Sequence, residues 1–208
     1  MKMNVNILIT RLLQLLFHPF SVVCYAAIVA IECNMMTPLY IPTQVKSILI
    51  QLFVWILYIF PMISIMILKR RNIISSYTML SPAELNPVIA INSFFYIVAI
   101  VLLYAIKAPF VLWIIPQLAL LTFLFYYLVN IKIKLNIYIV SLSALLGYFI
   151  YSSIEYHYNL LSAIIATIII IGVVNFSFIE EEIIELKGAL LSMATGLFIT
   201  LSSLFLMS

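Results

Sequence analysis

The feature that most constrains this chain is the recurrence of uninterrupted apolar stretches, each about twenty residues long. A helix needs about 20 apolar residues to cross a bilayer, because lipid offers the backbone no hydrogen-bond partners and a helix supplies its own. Seven stretches meet this requirement, at 12–31, 47–68, 87–106, 109–129, 135–153, 160–178 and 186–207. The sequence therefore predicts an all-α integral membrane protein of about seven transmembrane helices, which form a single transmembrane domain over 1–208.

Composition excludes several classes of function. With 66% hydrophobic and 8% charged residues, a water-soluble fold is excluded. The formal net charge of +3 is small and scattered, so nucleic acid is not expected as a partner. All acidic residues are Glu, and two His with two Cys do not make an ordinary structural zinc site. We expect neither a metal nor a cofactor.

The basic residues are distributed unevenly between the predicted loops. If all seven stretches span, one membrane face holds eight basic residues, at positions 2, 11, 69, 70, 71, 132, 134 and 187. The other face holds only Lys46 and Lys107. Because basic loops stay in the cytoplasm, this bias predicts a cytoplasmic N-terminus and an external C-terminus.

Four amide or imidazole side chains fall inside the first three apolar stretches. Gln14 and His18 are four residues apart, so they share one helix face, and Pro19 follows them. Polar groups at membrane depth are costly and are candidate functional residues. The alternative is a histidine that bonds a neighbouring helix beside a proline kink. For Gln51 and Asn92 we predict hydrogen bonds between helices.

Two patterns near the last predicted helix allow more than one interpretation. Glu181 and Glu185 have the spacing of one helix face and could hold a divalent cation. Carboxylates at the start of a helix are also favourable without any ligand. Gly188, Ser192 and Gly196 form a ridge of small residues, which suits either packing inside the bundle or dimerisation.

Four segments carry a resemblance to a known family. They are 17–20 (FHPF), 72–76 continuing into 81–87 (SPAELNP), 132–138 (KIKLNIY) leading to Gly147, and 177–196. In this order they resemble the small bacterial membrane proteins of the type-2 phosphatidic acid phosphatase superfamily. The resemblance implies that family's helical bundle, a bacterial inner-membrane location, and a composite site formed by the second, fourth and sixth loops.

The same resemblance implies that the catalytic positions have changed. Active members use two histidines, an acid that orients one of them, and Lys and Arg side chains that hold phosphate. With Pro87 as the anchor, Asn86 stands at the Arg position, Tyr138 at a His position and Ile184 at the nucleophilic His position. No catalytic residue is assigned. The residues expected to line a vestigial pocket are Glu84, Asn86, Lys134, Asn136, Tyr138 and Ser177.

These observations predict a non-catalytic, lipid-phosphatase-like membrane protein that binds lipid headgroups or acts as a membrane partner. Membrane lipids, another membrane protein or a second copy of the chain are the expected partners. Two alternatives stay open at this point. One is an active lipid-phosphate or isoprenoid-phosphate phosphatase with atypical residues, and the other is an accessory subunit of a membrane complex.

Overall fold

The computed structural model describes residues 5–33, 42–75, 82–130 and 132–207. Within these ranges the chain is helical without strands, which confirms the predicted all-α class. The elements are α1 (Val5–Leu16), α2 (Pro19–Glu32), α3 (Thr43–Val54), a π-helical segment (Trp55–Ile59), α4 (Phe60–Arg70), α5 (Pro82–Ala105), α6 (Phe110–Asn130), α7 (Ile137–Glu155), α8 (Leu161–Glu180) and α9 (Leu186–Met207).

Helix length and composition bear out an integral membrane protein. Six helices in the described ranges are long and apolar enough to cross a bilayer, and the bent pair of α1 and α2 makes a seventh if it counts as one span. α3, the π segment and α4 together form one of the six, Thr43–Arg70. α5 begins at Pro82 rather than at the predicted residue 87, so Pro87 lies inside the helix.

The first predicted span is not one continuous helix. α1 and α2 meet at Phe17 and His18 with a bend of 54°. Pro19 has no backbone N–H and stands at the first position of α2, where none is needed. The Ser21 hydroxyl lies 2.7 Å from both the Leu16 and the His18 carbonyl oxygens and shares its one proton between them, and the His18 carbonyl also accepts the Val22 N–H at 3.1 Å.

The bent pair is long enough to cross a bilayer. α1 has 12 residues and α2 has 14, which gives rises of about 18 Å and 21 Å. Neither reaches the thickness of a hydrocarbon core, about 30 Å. Together the two rises come to about 39 Å, so length alone allows the pair to form one broken span. A pair of helices bent by 54° is either one broken span or a re-entrant segment.

Proline also explains the π-helical segment. Pro61 cannot donate to the carbonyl of Leu57, so the regular hydrogen-bond ladder is interrupted there. The Phe60 N–H donates to the carbonyl of Trp55, five residues back, which is the π-helical pattern. The helix thus accommodates the proline by forming a short π-helical segment and continues to Arg70.

The chain divides into two compact units, and each is described by itself. Unit 1 is Met1–Val22 with Phe125–Ser208, and unit 2 is Val23–Leu124. In unit 1, α7 is the central helix, with 72% of its spanning window buried. In unit 2, α5 contacts the π segment and α4.

The predicted ridge of small residues packs inside unit 1. A methyl group at Gly196 would overlap the Val140 carbonyl oxygen of α7 and come within 2.8 Å of the Ser143 Cβ. Ser192 is fully buried, and its hydroxyl accepts the Asn136 N–H at 2.9 Å. The ridge therefore lets α7 and α9 approach closely, and this face of α9 is occupied within the chain.

Candidate functional site

The polarity of α1 is reversed relative to that of a helix on a water-soluble protein. Its exposed positions include large apolar side chains, namely Ile9, Leu12, Leu15 and Leu16, each 47–53% exposed. Thr10 and Gln14 are 4% exposed, and His18, just after the helix, is 8% exposed. Arg11 is also exposed on α1, but these other exposed positions are apolar, and leucines that face outward while polar groups face inward suit a lipid surrounding.

The inward face of α1 meets the end of α8. Thr10 Oγ1 and Ser177 Oγ are 2.6 Å apart and share a hydrogen bond. Sequence reasoning missed Thr10, although its spacing gives the signal: Thr10, Gln14 and His18 follow one another at intervals of four. Ser177, which the family resemblance put in the vestigial pocket, is thus held by α1.

His18 lies against aromatic rings of α2 and α7. Its ring centroid is 5.7 Å from that of Tyr138 and 4.5 Å from that of Phe20. Its Nδ1 atom accepts the Phe20 N–H at 3.5 Å, which supports the first turn of α2. Tyr138 in turn contacts Phe178, the neighbour of Ser177, with ring centroids 5.6 Å apart.

These contacts join His18 with Tyr138 and Thr10 with Ser177. Gln14 is buried between Thr10 and His18 along the chain. Tyr138 and Ser177 came from the family resemblance, and Gln14 and His18 from their position in an apolar stretch. We call the group of Thr10, Gln14, His18, Tyr138 and Ser177 the polar seam; all five lie in unit 1 and are buried. Tyr138 is the second residue of α7 and Ser177 is near the end of α8, so the seam lies where these helices meet the membrane surface.

The other predicted pocket residues of unit 1 lie beside the seam. Asn136 is the N-cap of α7, and its Oδ1 accepts the N–H groups of Tyr138 and Ile139 at 3.0 and 3.4 Å. Its role is therefore structural, as a cap that supports Tyr138. Lys134 is exposed two residues before it. The Lys134 carbonyl oxygen lies 3.5 Å from where a Cβ on Gly188 would be, so the entrances to α7 and α9 are adjacent.

Glu84 and Asn86 belong to unit 2. The Glu84 carboxylate accepts the backbone N–H of Ser75, which ties the start of α5 to the chain that follows α4. Asn86 is exposed on α5. The vestigial pocket was predicted from all six residues. In unit 1, Lys134, Asn136 and Tyr138 lie at the start of α7 and Ser177 near the end of α8; in unit 2, Glu84 and Asn86 lie on the first turns of α5.

The acidic run does not form the helical face that a cation site would need. α8 ends at Glu180 and α9 begins at Leu186, so residues 181–185 are a turn. Glu182 has a φ of 55°, the left-handed conformation that ends a helix. Glu181 and Glu185 therefore do not share a helix face, which removes the basis for the interpretation as a cation site. The described residues contain no group of three or more His, Cys, Asp or Glu that could hold a metal ion.

Two further polar predictions are also wrong. Gln51 is exposed on α3 and does not lie between helices. Asn92 is 1% exposed, but neither atom of its amide group has a hydrogen-bond partner in the described part of the chain. The reason is that a place inside an apolar stretch shows neither which face of the helix a residue occupies nor which residue lies opposite it.

The far end of α7 carries a cluster of tyrosines. Tyr156 is the C-cap residue of α7, and its ring centroid lies 6.1 Å from the ring centroids of both Tyr151 and Tyr158. Burial raises the pKa of Tyr156, and Tyr151, Glu155 and Tyr158 raise that pKa further by charge repulsion. Such rings are typical of a membrane boundary.

Comparison with known proteins adds no relative. No family model, curated protein or solved structure matches the chain. The resemblance to phosphatidic acid phosphatases therefore rests on the segments quoted above.

Proposed function

We propose that this protein is a non-catalytic, lipid-phosphatase-like protein of the bacterial inner membrane, and that it binds a phospholipid headgroup at the polar seam. The observation that carries the proposal is the seam itself, which gathers hydroxyl, phenol and imidazole groups at the ends of α7 and α8. Headgroups lie at this level of a bilayer. The apolar side chains on the outer face of α1 offer a surface for the acyl chains beside it.

The charges around the seam favour a zwitterionic headgroup. Exposed Lys132, Lys134 and Lys187 flank the entrances to α7 and α9. Four carboxylates lie at the end of α8 and on its connection to α9, at the same end of unit 1, namely those of Glu180, Glu181, Glu182 and Glu185. A headgroup with both a phosphate and an ammonium, such as phosphatidylethanolamine, has a charge partner for each set.

The residues of the seam support binding rather than hydrolysis. The family pattern needs two histidines, one to attack phosphorus and one to protonate the leaving oxygen. The seam has one, His18, and the chain's other histidine, His157, follows the opposite end of α7. The Tyr138 phenol can donate a hydrogen bond to a phosphate oxygen but is a poor nucleophile when neutral.

Native mass spectrometry of the purified protein tests the proposal. We expect phosphatidylethanolamine to stay bound in preference to phosphatidylglycerol, and His18→Ala to lose most of it. His157→Ala is the matched control and retains the lipid. Equal retention of both lipids, or equal loss in both variants, would contradict headgroup recognition at the seam.

A second assay addresses catalysis. Purified protein is incubated with phosphatidic acid and with an isoprenyl diphosphate, and released phosphate is measured. We expect no release above that of a heat-denatured sample. Release that disappears in Tyr138→Phe or His18→Ala would instead support the alternative of an active phosphatase.

The proposed orientation follows from charge and from the number of crossings. The six continuous spans place the basic residues at 69–71, 132, 134 and 187 on one membrane face. Of the basic residues beside these spans, only Lys46 and Lys107 lie on the other face. We therefore assign the first face to the cytoplasm. With α1 and α2 as a broken span, the N-terminus is cytoplasmic and the C-terminus external. Protease digestion of tags at each end of right-side-out vesicles checks this: only the C-terminal tag should be removed.

A further inference from the structure

Unit 2 contains a second set of polar side chains, separate from the polar seam of unit 1. The Asn92 amide, the Ser93 and Thr122 hydroxyls and the Tyr96 phenol have buried polar atoms with no hydrogen-bond partner among the described residues. Asn92 and Tyr96 are each 1% exposed, and Thr122 is 3% exposed. These groups lie inside helices that cross the membrane.

Three observations put these groups at one level of unit 2. Asn92 and Tyr96 are four residues apart and share a face of α5. The Tyr96 ring lies 5.8 Å from that of Phe123, the neighbour of Thr122 on α6. Asn92 is fourteen residues before Ile106 and Thr122 is thirteen residues after Pro109, so the short turn between α5 and α6 returns them to the same depth.

The helix that packs on α5 is irregular at this level. Phe60, the residue directly after the π segment, stacks on Phe95 with ring centroids 6.2 Å apart, and the π segment itself contacts α5. The Leu57 carbonyl, which Pro61 deprives of its regular donor, belongs to that segment. π-helical turns occur frequently at binding sites, since they open the hydrogen-bond ladder of the helix.

Leaving these groups without partners inside a membrane would be costly, because no lipid atom can replace the missing hydrogen bonds. The spanning parts of α5 and α6 carry no charged residue. An ion there would have no opposite charge beside it, which disfavours a charged ligand. The available groups all combine donor and acceptor capacity, as a neutral hydroxyl or amide ligand requires.

We propose that Asn92, Tyr96 and Thr122 form an internal site in unit 2 for a small uncharged molecule that both donates and accepts hydrogen bonds. Bound water and small solutes with a hydroxyl or amide group share this chemistry. The site is independent of headgroup binding in unit 1, so either proposal can fail without the other.

The sign of a stability change tests whether the site is occupied. If a ligand bonds these groups, Tyr96→Phe and Thr122→Val each lose a hydrogen bond, and the unfolding temperature should fall by about 2–4 °C. If the groups have no partner, the same variants remove a buried unsatisfied atom and the temperature should rise. Tyr104→Phe is the control: Tyr104 is on α5, like Tyr96, but is 76% exposed, so this variant should leave the unfolding temperature unchanged.

Two further measurements on the wild-type protein identify the ligand. X-ray radiolysis in ¹⁸O-labelled water should label Tyr96 faster than Phe178, an aromatic side chain that is fully buried in unit 1, if water occupies the site. A rise in unfolding temperature with added glycerol or acetamide that is absent in Thr122→Val would assign the site to a solute. A stabilisation that depends on sodium or potassium, or an increase in stability in both variants without labelling of Tyr96, would overturn the proposal.

Discussion

Replacing Gly196 by alanine tests the close approach of α7 and α9. The added methyl would overlap the Val140 carbonyl oxygen and lie within 2.8 Å of the Ser143 Cβ and 3.0 Å of the Ala144 backbone nitrogen. Two of these atoms belong to the backbone of α7, so a change of rotamer cannot relieve the overlap and the helices must separate. Overpacking of this kind costs about 1–3 kcal/mol, and we expect the upper end of that range.

The chain offers a matched control for this substitution. Gly172 lies in the interior of α8, and a methyl there would meet nothing within 4 Å. Alanine in a helix is more favourable than glycine by about 0.5–1 kcal/mol, so Gly172→Ala should stabilise the protein slightly. The two variants carry the same chemical change with opposite expected signs.

The assay is the temperature at which the detergent-solubilised protein loses its monodisperse peak in size-exclusion chromatography. For a chain of this size, about 3 kcal/mol corresponds to a loss of roughly 6–12 °C for Gly196→Ala. Gly172→Ala should gain about 1–4 °C. An unchanged or higher temperature for Gly196→Ala, or an equal loss for Gly172→Ala, would refute the close packing of α7 on α9.

Three other predictions follow from single sites. A maleimide reagent should modify exposed Cys33 in the folded protein and buried Cys24 only after denaturation; simultaneous modification of both would contradict the burial of Cys24. Asn136→Ala removes the N-cap of α7 and should cost about 1 kcal/mol of stability, measured as a fall in unfolding temperature, whereas Asn136→Asp should retain most of it. Burial raises the pKa of Tyr156 in the folded state above the ordinary tyrosine pKa, near 10. The neutral phenol therefore contributes to stability at a pH below about 10, and this stability is lost as the pH rises through the folded-state pKa. Tyr156→Phe should therefore lose less stability than the wild type between neutral and strongly alkaline pH, and identical alkaline losses would contradict the shift.

Much of the fold could be predicted from apolar length alone, because a bilayer imposes one requirement on every spanning helix. The proline at position 19 also gave the position of the helix break. The π segment before Pro61 could not be predicted in the same way. A proline inside a helix can produce a kink, a break or a π turn, and the choice depends on the side chains packed around it.

The candidate site was predicted in pieces. Gln14 and His18 were identified from their spacing, and Tyr138 and Ser177 from a resemblance, but nothing in the sequence indicated that these two pairs meet. Their contact depends on how α1 crosses the end of α8, which is a tertiary property. The pairing of Glu181 with Glu185 failed for a local reason, because the chain leaves the helical conformation at Glu182.

Spin labels along α1 test the central claim most directly. Headgroup binding at the seam requires α1 to turn its polar face to the protein and its leucines to lipid. In bilayers, and with both cysteines first replaced, labels at positions 12, 15 and 16 should be accessible to oxygen, and a label at position 14 should be protected from both oxygen and a water-soluble relaxation agent. A label at position 14 that the water-soluble agent reaches most readily would place α1 outside the membrane and would contradict the account.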